Sequence, residues 1–149
     1  VVRSLGTLPS QLVASPAYLA RFAAPASPED LAQHNCLFAH YPTLPLTREW
    51  VFYRADQTVS VNVSGNLKLN DIQVMKALVL AGSGVAVLPN FSIAEELANG
   101  ALQQLLPQWR MPNPPDVHLL YHHRRWQSPA LQQVAVWLVE TFRQQLALR

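Results

Sequence analysis

Cysteine occurs once, at Cys36, so no internal disulfide can staple this chain, and a lone thiol suits a reducing compartment. Charge is also scarce. At 13% charged residues the sequence is no solvated disordered tail, and eleven Lys and Arg against nine Asp and Glu leave a formal net charge of +2. That surplus is too small for attraction to a polyanion to dominate, so neither nonspecific nucleic-acid binding nor adhesion to an anionic membrane is expected. No apolar run reaches the roughly 18 residues that a membrane-spanning helix needs. Val1 to Ser4 do not open a secretion leader, and a first residue other than Met suggests a piece of something longer. What is present is apolar bulk. Half of the 149 residues are hydrophobic, and a chain of this length can bury about two thirds of its unfolded surface, in one domain or two small ones.

Residues 1–11 hold the turn-formers Gly6 and Pro9 and are expected to lead into a strand at Leu12 to Ala14, closed by Ser15 and Pro16. Ser27-Pro28-Glu29-Asp30 is a helix start, with Ser as cap, Pro first and a carboxylate third; the helix ends near His34. Cys36 to Ala39 and Trp50 to Tyr53 are short apolar strands on either side of a Pro42 to Pro45 loop. Val59, Val61 and Val63 alternate with Ser60, Asn62 and Ser64, the period of a half-buried strand, which Leu67 and Leu69 extend past a bend at Gly65. Asn70-Asp71 caps a helix over Ile72 to Ala81 that is apolar nearly all round and so expected to be buried on most sides. Gly82 ends it, and Val85 to Leu88 reads as a parallel strand covered on both faces. Ser92 and Glu95 form a capping box for a short helix that stops at Gly100; Leu102 to Leu106 and Val117 to Tyr121 read as strands. Ser128-Pro129 opens a closing helix with Leu131, Ala135, Leu138, Phe142 and Leu146 at three- and four-residue steps. Strands alternating with helices give an α/β class with a largely parallel sheet.

Reactive chemistry is hard to find. Gly82-Ser83-Gly84 follows a helix and opens a strand, the reverse of a dinucleotide fingerprint, and no Gly-x-Ser-x-Gly elbow exists. No Cys, Asp or Glu falls within three residues of His122 to complete a metal shell with His118 and His123, and His34, Cys36 and His40 are a half-buried thiol beside surface histidines. Arg124-Arg125-Trp126 reads as a solvated loop or an anion contact. No catalytic residue, metal ligand or cofactor is therefore assigned. What remains is geometric: in open α/β sheets a ligand sits beyond the carboxyl ends of the strands, where helix N-termini offer N–H groups. Helix starts at Asn70-Asp71 and Ser92, with Asn66, Asn70 and Ser15 as polar side chains and Pro89 and Phe91 as an apolar wall, could hold a small polar metabolite. Capping alone also accounts for Asn70 and Ser92.

An ordered series of motifs then resembles one family. Leu12-Val13-Ala14-Ser15-Pro16-Ala17-Tyr18-Leu19, Pro25-Ala26-Ser27-Pro28-Glu29-Asp30-Leu31 with His34 and Cys36-Leu37, Trp50, Gly65-Asn66-Leu67 with Asn70-Asp71, Ala81 to Pro89, Gly100-Ala101-Leu102, Leu106-Pro107 with Trp109, and Val117 to Ser128 look like the effector-binding domain of LysR-type transcriptional regulators. The series spans about Leu5 to Phe142. Ala23-Ala24 stand where the family often has Gly before the Pro, and Ser83 replaces a frequent Leu between the two glycines.

The resemblance implies an α/β, periplasmic-binding-protein-like (type II) fold: two α/β subdomains joined by two crossovers, with a small inducer in the cleft and the first subdomain incomplete. Residues 1–11 would end subdomain one, 12–115 would form subdomain two, and 116–149 would return to subdomain one, with Ala14 to Pro16 and Pro112 to Val117 as crossovers. Cleft candidates are Ser15, Pro16, Asn66, Asn70, Pro89 and Phe91. The implied protein is a cytoplasmic, non-enzymatic sensor of a small effector, a carboxylate or an aromatic, working as a dimer or tetramer and touching DNA only through an N-terminal domain outside this sequence. A solute-binding protein of a transport system is the alternative, and a dehydratase on the same scaffold would need a catalytic turn that is not found. The stripe Leu131, Leu138 and Phe142 would be exposed unless further subdomain-one elements cover it.

Overall fold

A computed structural model describes residues 2–40, 48–111, 116–120 and 128–147. The chain divides into two units, Val1–Pro9 with Pro114–Arg149, and Ser10–Asn113.

The larger unit is built on strands β2 (Ser10–Ala14), β3 (Cys36–Ala39), β6 (Lys68–Leu69), β7 (Val85–Pro89) and β8 (Gln103–Gln104), in the order β6-β3-β7-β2-β8. β3 runs parallel to β6 and β7, whereas β2 is antiparallel to β7 and β8. The sheet is thus mixed where a largely parallel one was expected, because the alternation of strands and helices fixes crossovers but not the direction of the first strand. Period-two alternation sorts its side chains into two cores. Leu12, Ala14, Cys36, Phe38 and Val85 join one, together with Tyr18, Phe52, Val61 and Val63. Val13, Leu37, Ala86 and Leu88 join the other, with Met75, Val79 and Ile93 of the covering helices.

Those helices are α2 (Ile72–Leu80) and α3 (Asn90–Ala98), and a short α1 (Pro16–Leu19) follows β2. α2 buries only Met75 and Val79 completely, and Val74 is exposed, so it covers the sheet with one face rather than being enclosed. An apolar outer surface had mimicked enclosure in the sequence. Lys76 joins the helices, its Nζ lying 2.7 Å from Glu96 and donating to the Ser92 carbonyl at 3.0 Å. The first core is closed by a hairpin of β4 (Glu49–Arg54) and β5 (Gln57–Asn62), paired from Glu49↔Asn62 to Arg54↔Gln57, which lays Phe52 and Val61 onto the other face of the sheet. β5 does not continue into Leu67 and Leu69: a separate β6 pairs with β3 instead. The start at Ser27-Pro28 produces a 3-10 helix, Pro28–Gln33, with Asp30 Oδ2 accepting from the Ser27 N–H at 3.0 Å.

Two close approaches fix how β6 and β7 enter the sheet. A Cβ on Gly65 would lie 1.7 Å from the Cys36 carbonyl oxygen, and one on Gly84 would lie 2.3 Å from that of Asn35. Both positions require glycine for want of space rather than for an unusual φ.

In the smaller unit, residues expected only to lead into a strand form β1 (Val2–Thr7), which pairs antiparallel with β9 (Asp116–Leu120) and shifts register between Ser4 and Gly6. α4 (Pro129–Ala147) packs on β1, burying Ala135 and Val139. Leu131 and Phe142 are exposed, as are Val134, Val136 and Trp137, the last at 61%. Tyr121, the histidines at 122 and 123, and the Arg124 to Trp126 cluster lie outside the described residues.

Candidate functional site

The parallel strands β6, β3 and β7 end together. Ala39 is level with Leu69, and the His40 N–H donates to the Leu69 carbonyl at 2.8 Å, so Asn70 follows beside His40. Continuing the β3–β7 register from Cys36↔Val85 and Leu37↔Ala86 brings His40 level with Pro89, and Pro89 is paired with Ser10 on antiparallel β2. The row Asn70, His40, Pro89, Ser10 therefore crosses four neighbouring strands at one edge, and the N-termini of α2 and α3 begin at that edge.

Of the residues singled out from sequence, Asn70, Pro89 and Phe91 belong here. Asn70 is exposed and is not the cap of α2: Asp71 Oδ1 accepts from the N–H groups of Gln73 at 2.7 Å and Val74 at 3.1 Å. Pro89 occupies the cap position of α3, so the box expected at Ser92 does not form; the Ser92 hydroxyl instead donates back to the Pro89 carbonyl at 2.8 Å. Ser15, Pro16 and Asn66 lie at the opposite edge. Because β2 runs against β3 and β7, its carboxyl end meets their amino ends, so the two halves of the candidate set are not brought together. Ala14 to Pro16, expected as a crossover, lie wholly inside the larger unit, whose first residue is Ser10. His40 and Ser10 are members of the row that the sequence did not single out. The signal that finds them is position: each is the residue at the end or start of a strand on this edge.

The opposite edge is a hydrogen-bonded lock. Ser15 is buried and accepts from the Tyr18 N–H at 3.4 Å. The Asn35 side chain donates to Asn66 Oδ1 at 2.9 Å and to the Ser83 carbonyl at 2.7 Å, and accepts from the Asn66 N–H at 3.0 Å. Asn66 is thereby committed to holding β3, β6 and β7 in register. The Tyr18 hydroxyl accepts from the Asn35 N–H at 3.1 Å and lies 3.1 Å from His34 Nδ1, which leaves its own proton for the neutral imidazole. Burial holds His34 below its usual histidine value, partly opposed by the charge of Asp30. The folded imidazole thus takes up a proton less readily than the unfolded one. Its contribution to stability is present above the unfolded value of about 6.5 and is lost as pH falls through the lower folded value. Thermal melting between about pH 7.5 and about pH 5.5 should show a decline that is shallower in His34→Gln, and parallel curves would refute the assignment. Burial also pushes the Cys36 thiol up to about 12. It is protonated at neutral pH and unsuited to nucleophilic or metal chemistry. Among the described residues no group of three His, Cys, Asp or Glu is placed to hold a metal ion, and no helix is long and apolar enough to cross a membrane.

A family model described as the LysR substrate binding domain matches residues 1–143. The HTH-type transcriptional regulator PtxR of Pseudomonas aeruginosa is 38% identical over 114 residues, 76% of this chain and 36% of that protein. The regulatory domain of CrgA, a LysR-type regulator from Neisseria meningitidis, superposes with a TM-score of 0.78 at 25% identity, over 95% of this chain and 68% of that one. The full-length Vibrio cholerae virulence activator AphB gives a TM-score of 0.75 at 28% identity, over 96% of this chain and 46% of that one. The chain spans about two fifths or less of the length of the first curated relatives it matches.

Proposed function

Because this chain belongs to the LysR substrate-binding domain family, we propose that it is the ligand-sensing part of a transcriptional regulator, with the carboxyl edge of the larger unit's sheet as its effector-binding face. The fold is the α/β, periplasmic-binding-protein-like type II fold of that family's regulatory domains. The family is one of regulators rather than an enzyme class. In this reading Ser10–Asn113 is effector subdomain two and the smaller unit is the end and return of subdomain one. The protein works in the cytoplasm as an oligomer, and its DNA contacts belong to a further domain.

The observation that carries the proposal is the row Asn70, His40, Pro89 and Ser10 at the edge where α2 and α3 begin, the place at which α/β sheets bind ligands. Ser15, Pro16 and Asn66 have no part in it. Effector binding would bias an equilibrium between arrangements of the oligomer, since a ligand can shift a population only by its differential affinity for the two states.

A thermal-shift screen of metabolites tests the reading. A ligand at a hundred times its Kd adds about 2.7 kcal/mol to stability, and Asn70→Ala should abolish the shift. Undiminished shifts in Asn70→Ala would move the site elsewhere. The chain alone should not retard promoter DNA at physiological salt, consistent with its +2 charge; specific retardation would refute the division of labour.

A further inference from the structure

Asn35 has each of its polar groups engaged. Its N–H donates to the Tyr18 hydroxyl at 3.1 Å, and its carbonyl accepts from the Val85 N–H at 2.9 Å. Its side-chain amide donates to Asn66 Oδ1 and to the Ser83 carbonyl, and its Oδ1 accepts from the Asn66 N–H. Asn66 and Ser83 bound one stretch of chain: between them lie β6, Asn70 and the whole of α2. A single side chain therefore grips both ends of the segment that brings Asn70 to the proposed effector face. The far end is also held by the Arg21 guanidinium, which donates to the Gly82 carbonyl.

Behind Asn35 stands a titratable group. The Tyr18 hydroxyl that receives the Asn35 N–H lies 3.1 Å from His34 Nδ1, and both side chains are buried. With the imidazole neutral, the hydroxyl gives its proton to Nδ1 and turns a lone pair to Asn35, so every donor has an acceptor. An imidazolium carries a proton on Nδ1 as well. Two donors then face the one hydroxyl oxygen, and the Tyr18 proton loses its acceptor, a loss that a residue 2% exposed does not recover from water. The groups around His34 do not absorb the new charge. Asp30, on the same 3-10 helix, is the carboxylate that acts on it, and its Oδ2 already accepts from the Ala26 and Ser27 N–H groups; Glu29 is exposed. Tyr18 is the titratable residue of α1, Cys36 on β3 is a protonated thiol, and β5, which packs on the 3-10 helix, carries no titratable residue.

We propose that His34 is an acid-operated latch: proton uptake at Nδ1 turns the Tyr18 hydroxyl, weakens its bond to the Asn35 N–H, and slackens the grip of Asn35 on both ends of the β6–α2 segment. The latch is closed at neutral pH, because burial holds His34 below its usual histidine value, and acid opens it. Its bearing on effector binding rests on the reading of the Asn70 edge as the effector face; the latch itself does not.

NMR of the isotopically labelled 149-residue chain between about pH 7.5 and about pH 5 tests the proposal. The ring signals of His34 give its midpoint, and the Asn35 side-chain amide and the backbone amides of Asn35 and Asn66 should titrate within about 0.2 pH units of it. Exchange of α2 amides, corrected for its intrinsic pH dependence, should quicken about fivefold or more relative to α3 across that midpoint. Tyr18→Phe keeps the ring and removes the relay, so His34 still titrates while Asn35 and Asn66 no longer follow. His34→Gln offers an acceptor that takes up no proton and should leave the Asn35 and Asn66 signals flat. Melting at about pH 7.5 checks that each variant is folded, and the parent's own midpoints decide even where one is not. Asn35 and Asn66 signals that ignore the His34 midpoint, or that still follow it in Tyr18→Phe, overturn the latch. Unchanged α2 exchange across the midpoint overturns its link to the segment. The Asn70→Ala test of the effector face is run at neutral pH with the latch closed, so its failure leaves the latch standing, and failure of the titration leaves the face.

Discussion

Gly65→Ala is expected to destabilise the larger unit by about 3 kcal/mol or more, the upper end of what overpacking costs. The position is exposed, so burial has no part in the effect. What decides it is the 1.7 Å between a new Cβ and the Cys36 carbonyl oxygen. That carbonyl is backbone and cannot swing away as a side-chain tip could. The same few residues are pinned by the Cys36 N–H donating to the Ser64 carbonyl at 2.9 Å and the Val85 N–H donating to that of Asn35 at 2.9 Å. Relief would have to pull β6 from β3 or β3 from β7. Gly100→Ala is the control: nothing lies within 4 Å of its Cβ, and the cost is that of a positive φ, 77°, about 1 kcal/mol. Urea denaturation of the two variants measures the contrast, and a loss below about 1 kcal/mol in Gly65→Ala would show that the close approach is not required.

The second large effect concerns the smaller unit by itself. Amides of β1, β9 and α4 should exchange with solvent at least about a hundredfold faster than those of β3 and β7. A two-stranded sheet is marginal in water, and among its described side chains α4 buries Ala135 and Val139 while Leu131, Val134, Val136, Trp137 and Phe142 are exposed. Trp137→Ala should therefore alter stability by no more than about 0.5 kcal/mol despite the size of the residue it removes. Hydrogen exchange followed by mass spectrometry reads this directly, and uniform protection of the two units would refute it.

Much of this fold was legible in the sequence because its signals are local. Val85 to Leu88 announced a strand covered on both faces, Asp71 a helix cap, and Ser128-Pro129 the final helix. The signals failed where tertiary partners decide. Nothing in Leu12 to Ala14 states that the strand runs against β7, and that one direction moves Ser15 and Pro16 away from Asn70. Asn66 stands among the cleft candidates as a polar residue, but whether such a residue meets a ligand or Asn35 depends on a residue 31 positions away. Ser92 and Glu95 fit a capping box, yet β7 ends one residue before Asn90 and the helix starts there, consuming the serine inside its first turn. His40 and Ser10 join the row only once the register aligns the strand ends. The series of motifs pointing to LysR regulators was informative for a different reason: it samples the whole chain in order.

The direction of β2 has a bearing on how this protein can change over generations. The bonds that hold the register sit at Tyr18, Asn35, Asn66 and Ser83, while His40, Asn70, Pro89 and Asn90 lie at the other end of strands that extend roughly 14 Å over five residues. Substitutions that far apart and sharing no partners add independently. On the proposed reading of this edge, a lineage could alter the effector-binding face at Asn70 or Pro89 without disturbing the fold, while Asn35 and Gly65 stay fixed by the hydrogen bonds and the close approach that hold the strands.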